Sequence, residues 1–317
     1  MKKLTTLIAA LALFALILVG CSNGDNGETN EASNEGGESS GKIGFSISTL
    51  NNPFFVSMAD GAEAKAKELG LDLTVVDAGN DTAKQSTDIE DLINSGIEVL
   101  IVNPEDSAAA GPSVQRALDA GIKVIAVDRT VEGATVDTYI GTDNVLAGEK
   151  VGEKVLSILG EGADIAILEG VPGASSAMDR HQGFLNALEG NVNIVASQTA
   201  NYDRAEGMTV TENILQANPD IQAVVAANDE MALGAIEAIK AANKVPGEDI
   251  LVTGFDAGDD AIEKVKAGEM AFTVEQQTVQ MGELAVETAL KMINGEDYES
   301  EIPINVTLLD LEALENQ

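Results

Sequence analysis

From residue 42 to residue 276, short apolar runs alternate with segments of helical period, and this alternation constrains the fold more than any other feature. The runs are "KIGFSIS", "LDLTVVDA", "VLIVNP", "IKVIAVDR", "DIAILEG", "NIVASQ", "AVVAAND", "ILVTGFD" and "AFTVEQ". Continuously apolar strands separated by helices need both sheet faces covered, which implies parallel sheets. One sheet of so many strands would be large, and 317 residues fit two α/β domains better. The expected class is therefore α/β, with two Rossmann-like domains on parallel sheets. The first helix can be read in detail. Asn52 suits the N-cap, Pro53 the first helical position and Gly70 the end. Between them Phe55, Met58, Ala62, Ala66 and Leu69 recur at steps of three and four, one apolar face.

In open parallel sheets, ligands bind beyond the carboxyl ends of the strands. The first strand ends in "TLNNPFF", with Asn52, Phe54 and Phe55. The third ends at Asn103 and the fourth at Asp128 and Arg129. "GVPGASSAMDR", carrying Arg180, follows the fifth, and "ANYDR", carrying Tyr202, follows the sixth. The last three reach Asn228 and Asp229, Asp256, and Gln276. Amides, carboxylates, guanidiniums and flat rings suit a sugar. A hydroxyl donates to carboxylate and amide oxygens and accepts from arginine and amide N–H groups. The C–H faces of the sugar pack on aromatic rings. Phe54 lies off the apolar stripe of its helix, as a stacking ring would. Phe55 lies on the stripe, so its pattern serves core packing and stacking equally. Among the candidate contacts, Asp128 and Asp256 balance Arg129 and Arg180, which favours an uncharged ligand.

Composition excludes several classes. A net charge of −35 repels phosphate backbones and anionic lipid, so neither nucleic acid nor a basic membrane contact is expected. His181 is the sole histidine, so no serine or cysteine nucleophile has a second histidine to serve it, and no enzyme is expected. Asp256, Asp259 and Asp260 cluster, but an acidic chain produces such clusters by chance. No phosphate loop or zinc spacing occurs, and "DAGNDTAKQSTDIED" lacks the oxygen spacing of a calcium loop. Neither a metal nor a cofactor is expected.

The first 20 residues form a basic start and an apolar run too short for a confident membrane span. Leu18-Val19-Gly20-Cys21 resembles the bacterial lipobox, which implies cleavage before Cys21 and its lipidation. Residues 21–41 hold the lipidated cysteine and a stretch without any large apolar residue, an acidic tether expected to stay disordered. A lone cysteine also excludes an internal disulfide framework.

At "STLNNPFFVS", "IVNPEDSAA", "VDRT", "YDRAEGMTV", "ANDEMALGAIEA" and "GFD" the sequence resembles the ribose-binding proteins of ABC sugar importers, within the type I periplasmic binding proteins. The resemblance runs from about residue 42 to residue 309. It implies two lobes joined by three crossings near Thr142, Gln276 and Asn305. The first lobe would hold residues 42–142 and 277–305, the second residues 143–276 and 306–317. Ligand contacts would fall on Asn52, Phe54, Phe55, Asn103, Asp128 and Arg129 from one lobe, and Arg180, Tyr202, Asn228 and Asp256 from the other. Gln276 would lie near a crossing. Phe54, Phe55 and Tyr202 would sandwich the ring. Tyr202 departs from the family's usual phenylalanine, and "SSAMDR" lacks an arginine common just upstream. The resemblance further implies a monomer that hands D-ribose to ABC permease subunits, tethered by lipid to the outer face of the cell membrane. A receptor for a sugar or autoinducer serving a chemoreceptor or sensor kinase is the alternative. A sugar-responsive repressor would need an N-terminal helix-turn-helix, where this chain has a signal and a tether.

Overall fold

The computed structural model describes residues 41–316. The expected signal segment, Cys21 and the tether up to residue 40 lie outside the described residues. Gly41, counted with the tether, belongs to the fold: it is buried, and its carbonyl accepts from Asp72 N at 3.1 Å.

The chain begins with β1 (Lys42–Ile47), α1 (Pro53–Leu69), β2 (Asp72–Asp77), α2 (Thr82–Asn94), β3 (Val99–Val102), α3 (Ser107–Asp119), β4 (Lys123–Val127) and β5 (Thr138–Thr142). It continues through α4 (Asn144–Leu159), β6 (Asp164–Glu169), α5 (Ser175–Leu188), β7 (Asn193–Thr199), α6 (Arg204–Ala217), β8 (Ala223–Ala226), α7 (Asp229–Ala241) and β9 (Leu251–Thr253). It ends with α8 (Asp259–Lys266), β10 (Phe272–Glu275), α9 (Thr278–Asn294), β11 (Glu301–Ile304), β12 (Thr307–Asp310) and α10 (Leu311–Glu315). No helix among the described residues is long and apolar enough to cross a membrane.

Two sheets of six strands result, in the orders β11-β5-β4-β3-β1-β2 and β12-β10-β9-β8-β6-β7. The chain passes from the first sheet to the second after β5. It returns after β10, where α9 packs on α1, and passes over once more between β11 and β12. The fold is a two-domain α/β architecture on parallel-dominated sheets.

The nine strand-like runs all appear, but β5, β11 and β12 were not among them. "TYIGT", "EIPI" and "TLLD" are short and mix polar residues, glycine or proline into the run, so no apolar stretch marks them. Pro303 is tolerated because β11 is an edge strand. β12 also departs from the all-parallel expectation, pairing antiparallel with β10.

Apolar clusters cover both faces of the first sheet, one beneath α1 and α9 and one beneath α2 and α3, and a larger cluster fills the second half. α1 follows its sequence signals: Asn52 Oδ1 accepts from Phe54 N at 2.9 Å, and Gly70 ends the helix at φ 71°. Phe55, Met58, Ala62 and Ala66 are buried, whereas Leu69 is 37% exposed. Five helices are capped by aspartate (Asp81, Asp106, Asp143, Asp203 and Asp310), which places part of the acidic load where helix dipoles favour it. α4 and α5 approach at Gly148 and Gly183, where a Cβ would run into the backbone of Arg180 and Val145. This close packing seats the first turns of α5.

Candidate functional site

In a β-loop-α unit the strand's carboxyl end and the helix's amino end face the same way. Strand ends from both halves therefore meet in one cleft, with helix N-termini behind them. There Asn52, Phe54, Phe55, Asp128 and Arg129 from the first half face Ser176, Arg180, Tyr202, Asn228, Asp256 and Gln276 from the second. Together they line one small, partly open space between the two halves. Ten of the eleven residues singled out from the sequence line this space, and Ser176 joins them. Asn103 stands behind the wall. Its Nδ2 donates to Val127 O at 3.1 Å and Asp128 Oδ2 at 3.3 Å, and its Oδ1 accepts from Ser48 N at 3.3 Å. It sets the Asp128 carboxylate. His181 is not on the wall.

Phe54 and Phe55 are 8% and 4% exposed and meet edge-on, ring centroids 5.1 Å apart at 86°. Both belong to the core and both line the cavity, so packing and stacking are not alternatives here. Phe54 is buried although it lies off the helix stripe, since it packs into the cluster beneath α1 and α9 while bordering the cavity.

Arg129 is 1% exposed. Its Nη1 donates to Pro104 O at 2.8 Å and Glu105 O at 3.3 Å, and its Nε lies 3.6 Å from Asp128 Oδ2. Its guanidinium sits 5.1 Å from the Phe55 ring and 5.9 Å from the Tyr202 ring across the cleft. Arg180 packs on Phe255 at 3.5 Å, donates Nη2 to Asn144 Oδ1 at 2.8 Å, and bonds Ala227 O. On the same wall Gln276 Nε2 donates to Asp256 Oδ1 at 2.8 Å, while Asn228 caps α7 and donates to Tyr202 O.

Backbone strain concentrates here. Asp128, Tyr202 and Asp256 have φ of 64°, 58° and 122°, in the half of backbone space that L-residues avoid. Such conformers persist only where the surroundings over-determine them.

Burial pushes the Asp128 carboxyl up, with Arg129, Arg180 and the Asn103 amide pulling it back. Asp256 is raised well above its ordinary value by burial and by Asp229, against the pull of Arg180. Burial also raises the Tyr202 phenol and, against Arg129, the Glu105 carboxyl. Three cavity residues carry a buried polar atom with no hydrogen-bond partner: Arg129 Nε, Tyr202 Oη and Gln276 Oε1. Such atoms are costly unless something bonds them. The set offers donors, acceptors and flat apolar faces, and no nucleophile paired with a base.

On another edge of the cleft the halves touch directly. Ser107 N donates to Gly173 O at 3.0 Å, Ser175 N to Ser107 Oγ at 3.2 Å, and Thr130 N to Ser175 Oγ at 2.8 Å. Gly173, at φ 88°, lies so close to the Asp106 carboxylate that a Cβ would not fit.

Sequence reasoning missed Ser176 and the Ser107–Ser175 contact. Ser176 stands four residues before Arg180 on α5, hence on the same helix face, and that spacing was the available signal.

A family model described as a periplasmic binding protein domain matches residues 43–297. The ribose import binding protein RbsB of Bacillus subtilis (strain 168) is 44% identical over 302 residues, 95% of this chain and 97% of that protein. Its namesake in Escherichia coli (strain K12) is 40% identical over 310 residues, covering 98% of each. Among solved structures, a periplasmic solute-binding protein of an ABC transporter from Actinobacillus succinogenes, with bound D-allose, superposes with a TM-score of 0.80 at 35% identity, covering 87% of this chain and all of that one. The Caulobacter myo-inositol binding protein, bound to myo-inositol, gives 0.84 at 33% identity, over 88% of this chain and 96% of that one. With the family model matched over residues 43–297, and with relatives 40–44% identical over nearly the whole chain, the chain belongs to the periplasmic binding protein family.

Proposed function

We propose that this protein captures an uncharged monosaccharide, D-ribose, between its two lobes and delivers it to an ABC permease. The observation that carries this reading is the convergence of unpartnered polar atoms and aromatic faces on one small, charge-balanced space. Asp128 and Asp256 would accept from sugar hydroxyls, Arg129 Nε would donate, and Gln276 Oε1 would accept. Phe54, Phe55 and Tyr202 would bracket the ring. The choice of ribose draws on the relatives named for ribose import. Sugar bridging both lobes adds contacts that only the closed form has, so its binding energy shifts the population toward closure, and the permease reads the closed shape. No covalent step is involved. Titration calorimetry against a panel of pentoses and hexoses tests the reading. Ribose should bind with micromolar or tighter affinity, about −8 kcal/mol or more. Absence of heat with every monosaccharide overturns it.

The protein acts outside the cytoplasm as a monomer, anchored through lipid on Cys21. Intact-mass measurement of membrane-extracted protein tests the anchor: a chain starting at Cys21 and carrying acyl mass supports it, and an unmodified chain refutes it.

Two substitutions probe closure and stacking. Ser175→Ala removes the acceptor of Thr130 N in the closed form, and should weaken ribose binding by about 1 kcal/mol. Wild-type affinity in that variant would show the contact to be idle. Tyr202→Phe keeps the ring and deletes a buried hydroxyl whose polar neighbour is Ser176, with no hydrogen bond within normal distance among the described residues, so affinity should change by less than about 1.4 kcal/mol. Loss of binding would instead make that hydroxyl a direct contact to the sugar.

A further inference from the structure

Asp256 reaches the cavity from a loop with an unusual backbone. Asp256 and Ala257 have φ of 122° and 55°, and neither has the freedom of glycine. Something must hold them there. The holding group is Asp229, which begins α7, is 4% exposed and does not line the sugar cavity. Its N–H donates to Phe255 O at 2.8 Å. Its Oδ2 accepts from Gly258 N at 2.8 Å, and its Oδ1 accepts from Thr273 Oγ1 at 2.7 Å. Thr273 Oγ1 in turn accepts from Ala257 N at 3.1 Å. The carboxylate thus ties down Gly258 directly and Ala257 through one hydroxyl, while the backbone N–H of the same residue holds Phe255 on the other side of Asp256. The Asp256 carboxylate is then met by Gln276 at 2.8 Å.

We propose that Asp229 is a positioning residue for sugar binding, fixing the 255–258 loop so that Asp256 points into the cavity. The proposal rests on the sugar-binding reading above. An acid that merely favours the start of its helix would support α7 without depending on Asp256. The two roles separate in a double-mutant cycle.

The experiment compares Asp229→Ala, Asp229→Asn, Asp256→Ala and the Asp229→Ala/Asp256→Ala pair in the otherwise unaltered chain. It reads D-ribose affinity by calorimetry, and amide exchange over residues 255–258 without sugar. Asp229→Ala should speed exchange in that loop and weaken ribose binding by about tenfold or more. Asp229→Asn, which keeps an acceptor for Gly258 N, should fall between it and wild type; it also carries the test if the alanine variant does not fold. In the Asp256→Ala background, Asp229→Ala should cost less than about twofold, because the group it positions is gone. Unchanged loop exchange, or losses that multiply in the double variant, would overturn the proposal. Failure of the wild-type chain to bind any sugar would defeat the sugar-binding reading instead, while loop exchange would still decide what Asp229 holds.

Discussion

Arg129→Ala is expected to weaken ribose binding by about 2–4 kcal/mol, a thirty- to thousandfold rise in Kd. The guanidinium is 1% exposed and does several jobs at once. It faces Asp128 at 3.6 Å and Glu105 at 3.5 Å, bonds two carbonyls, and packs between Phe55 on its own lobe and Tyr202 on the other. Removing it takes the cation away from buried Glu105 and leaves buried Asp128 with Arg180 alone. Burial already raises both, so both would then take protons more readily. A neutral Asp128 loses half its acceptor role toward a sugar hydroxyl. Arg129→Lys should rescue little, since an ammonium cannot hold the planar, multi-donor geometry that faces Pro104, Asp128 and two rings. Calorimetry on the folded variants decides, with a thermal melt run alongside to register the stability that the same contacts supply. An affinity equal to wild type would remove Arg129 from the site.

Much of this was legible because two rules of open sheets are simple. Apolar runs become strands, and the residues just past them become the cleft. Asn228 illustrates how far that reaches, being a strand end, a helix cap and a cavity wall residue together. What sequence did not give depends on the third dimension. Asn103 was found by strand-end position, but only the fold shows it braced behind Asp128. Ser176 carries no strand-end mark because it sits a full loop beyond β6. Asp229 was visible beside Asn228, yet its partners at Phe255, Gly258 and Thr273 lie on other strand ends and loops. β11 and β12 escaped because edge strands need few apolar residues to pair. The left-handed backbone at Asp128, Tyr202 and Asp256 has no glycine to announce it. It is imposed by neighbours that the linear order does not reveal.

Acidification from pH 7.5 to 5 is expected to stabilise the sugar-free protein. Burial pushes Asp229 up to about 6, against the hydrogen bonds of Thr273, Gly258 and Phe255, with Glu230 adding to the rise. Asp256 and Asp128 shift in the same direction. An acid whose folded value exceeds its unfolded value of about 3.9 contributes stability that is full below the unfolded value and lost as pH rises through the folded one. For Asp229 that contribution is present at the acid end of the window and absent at neutral pH. Asp137, Glu269 and Asp310, lowered by lysine partners or backbone N–H groups, act in the opposite sense, but only as pH falls through their own low values. Asp229, raised to about 6, therefore governs the interval between roughly pH 4 and 6. Relief of self-repulsion in a chain of net charge −35 adds to the trend. Calorimetric melting at fixed ionic strength should show Tm rising by several degrees, and Asp229→Asn should flatten the rise. A Tm that falls over this range would refute the assignment. Ribose affinity should move the other way, because sugar hydroxyls donate best to ionised carboxylates, and burial biases both Asp128 and Asp256 toward the neutral form as protons become available. The empty protein gains stability from the same protons that cost it ligand, so the stabilisation given by saturating ribose should shrink as pH falls.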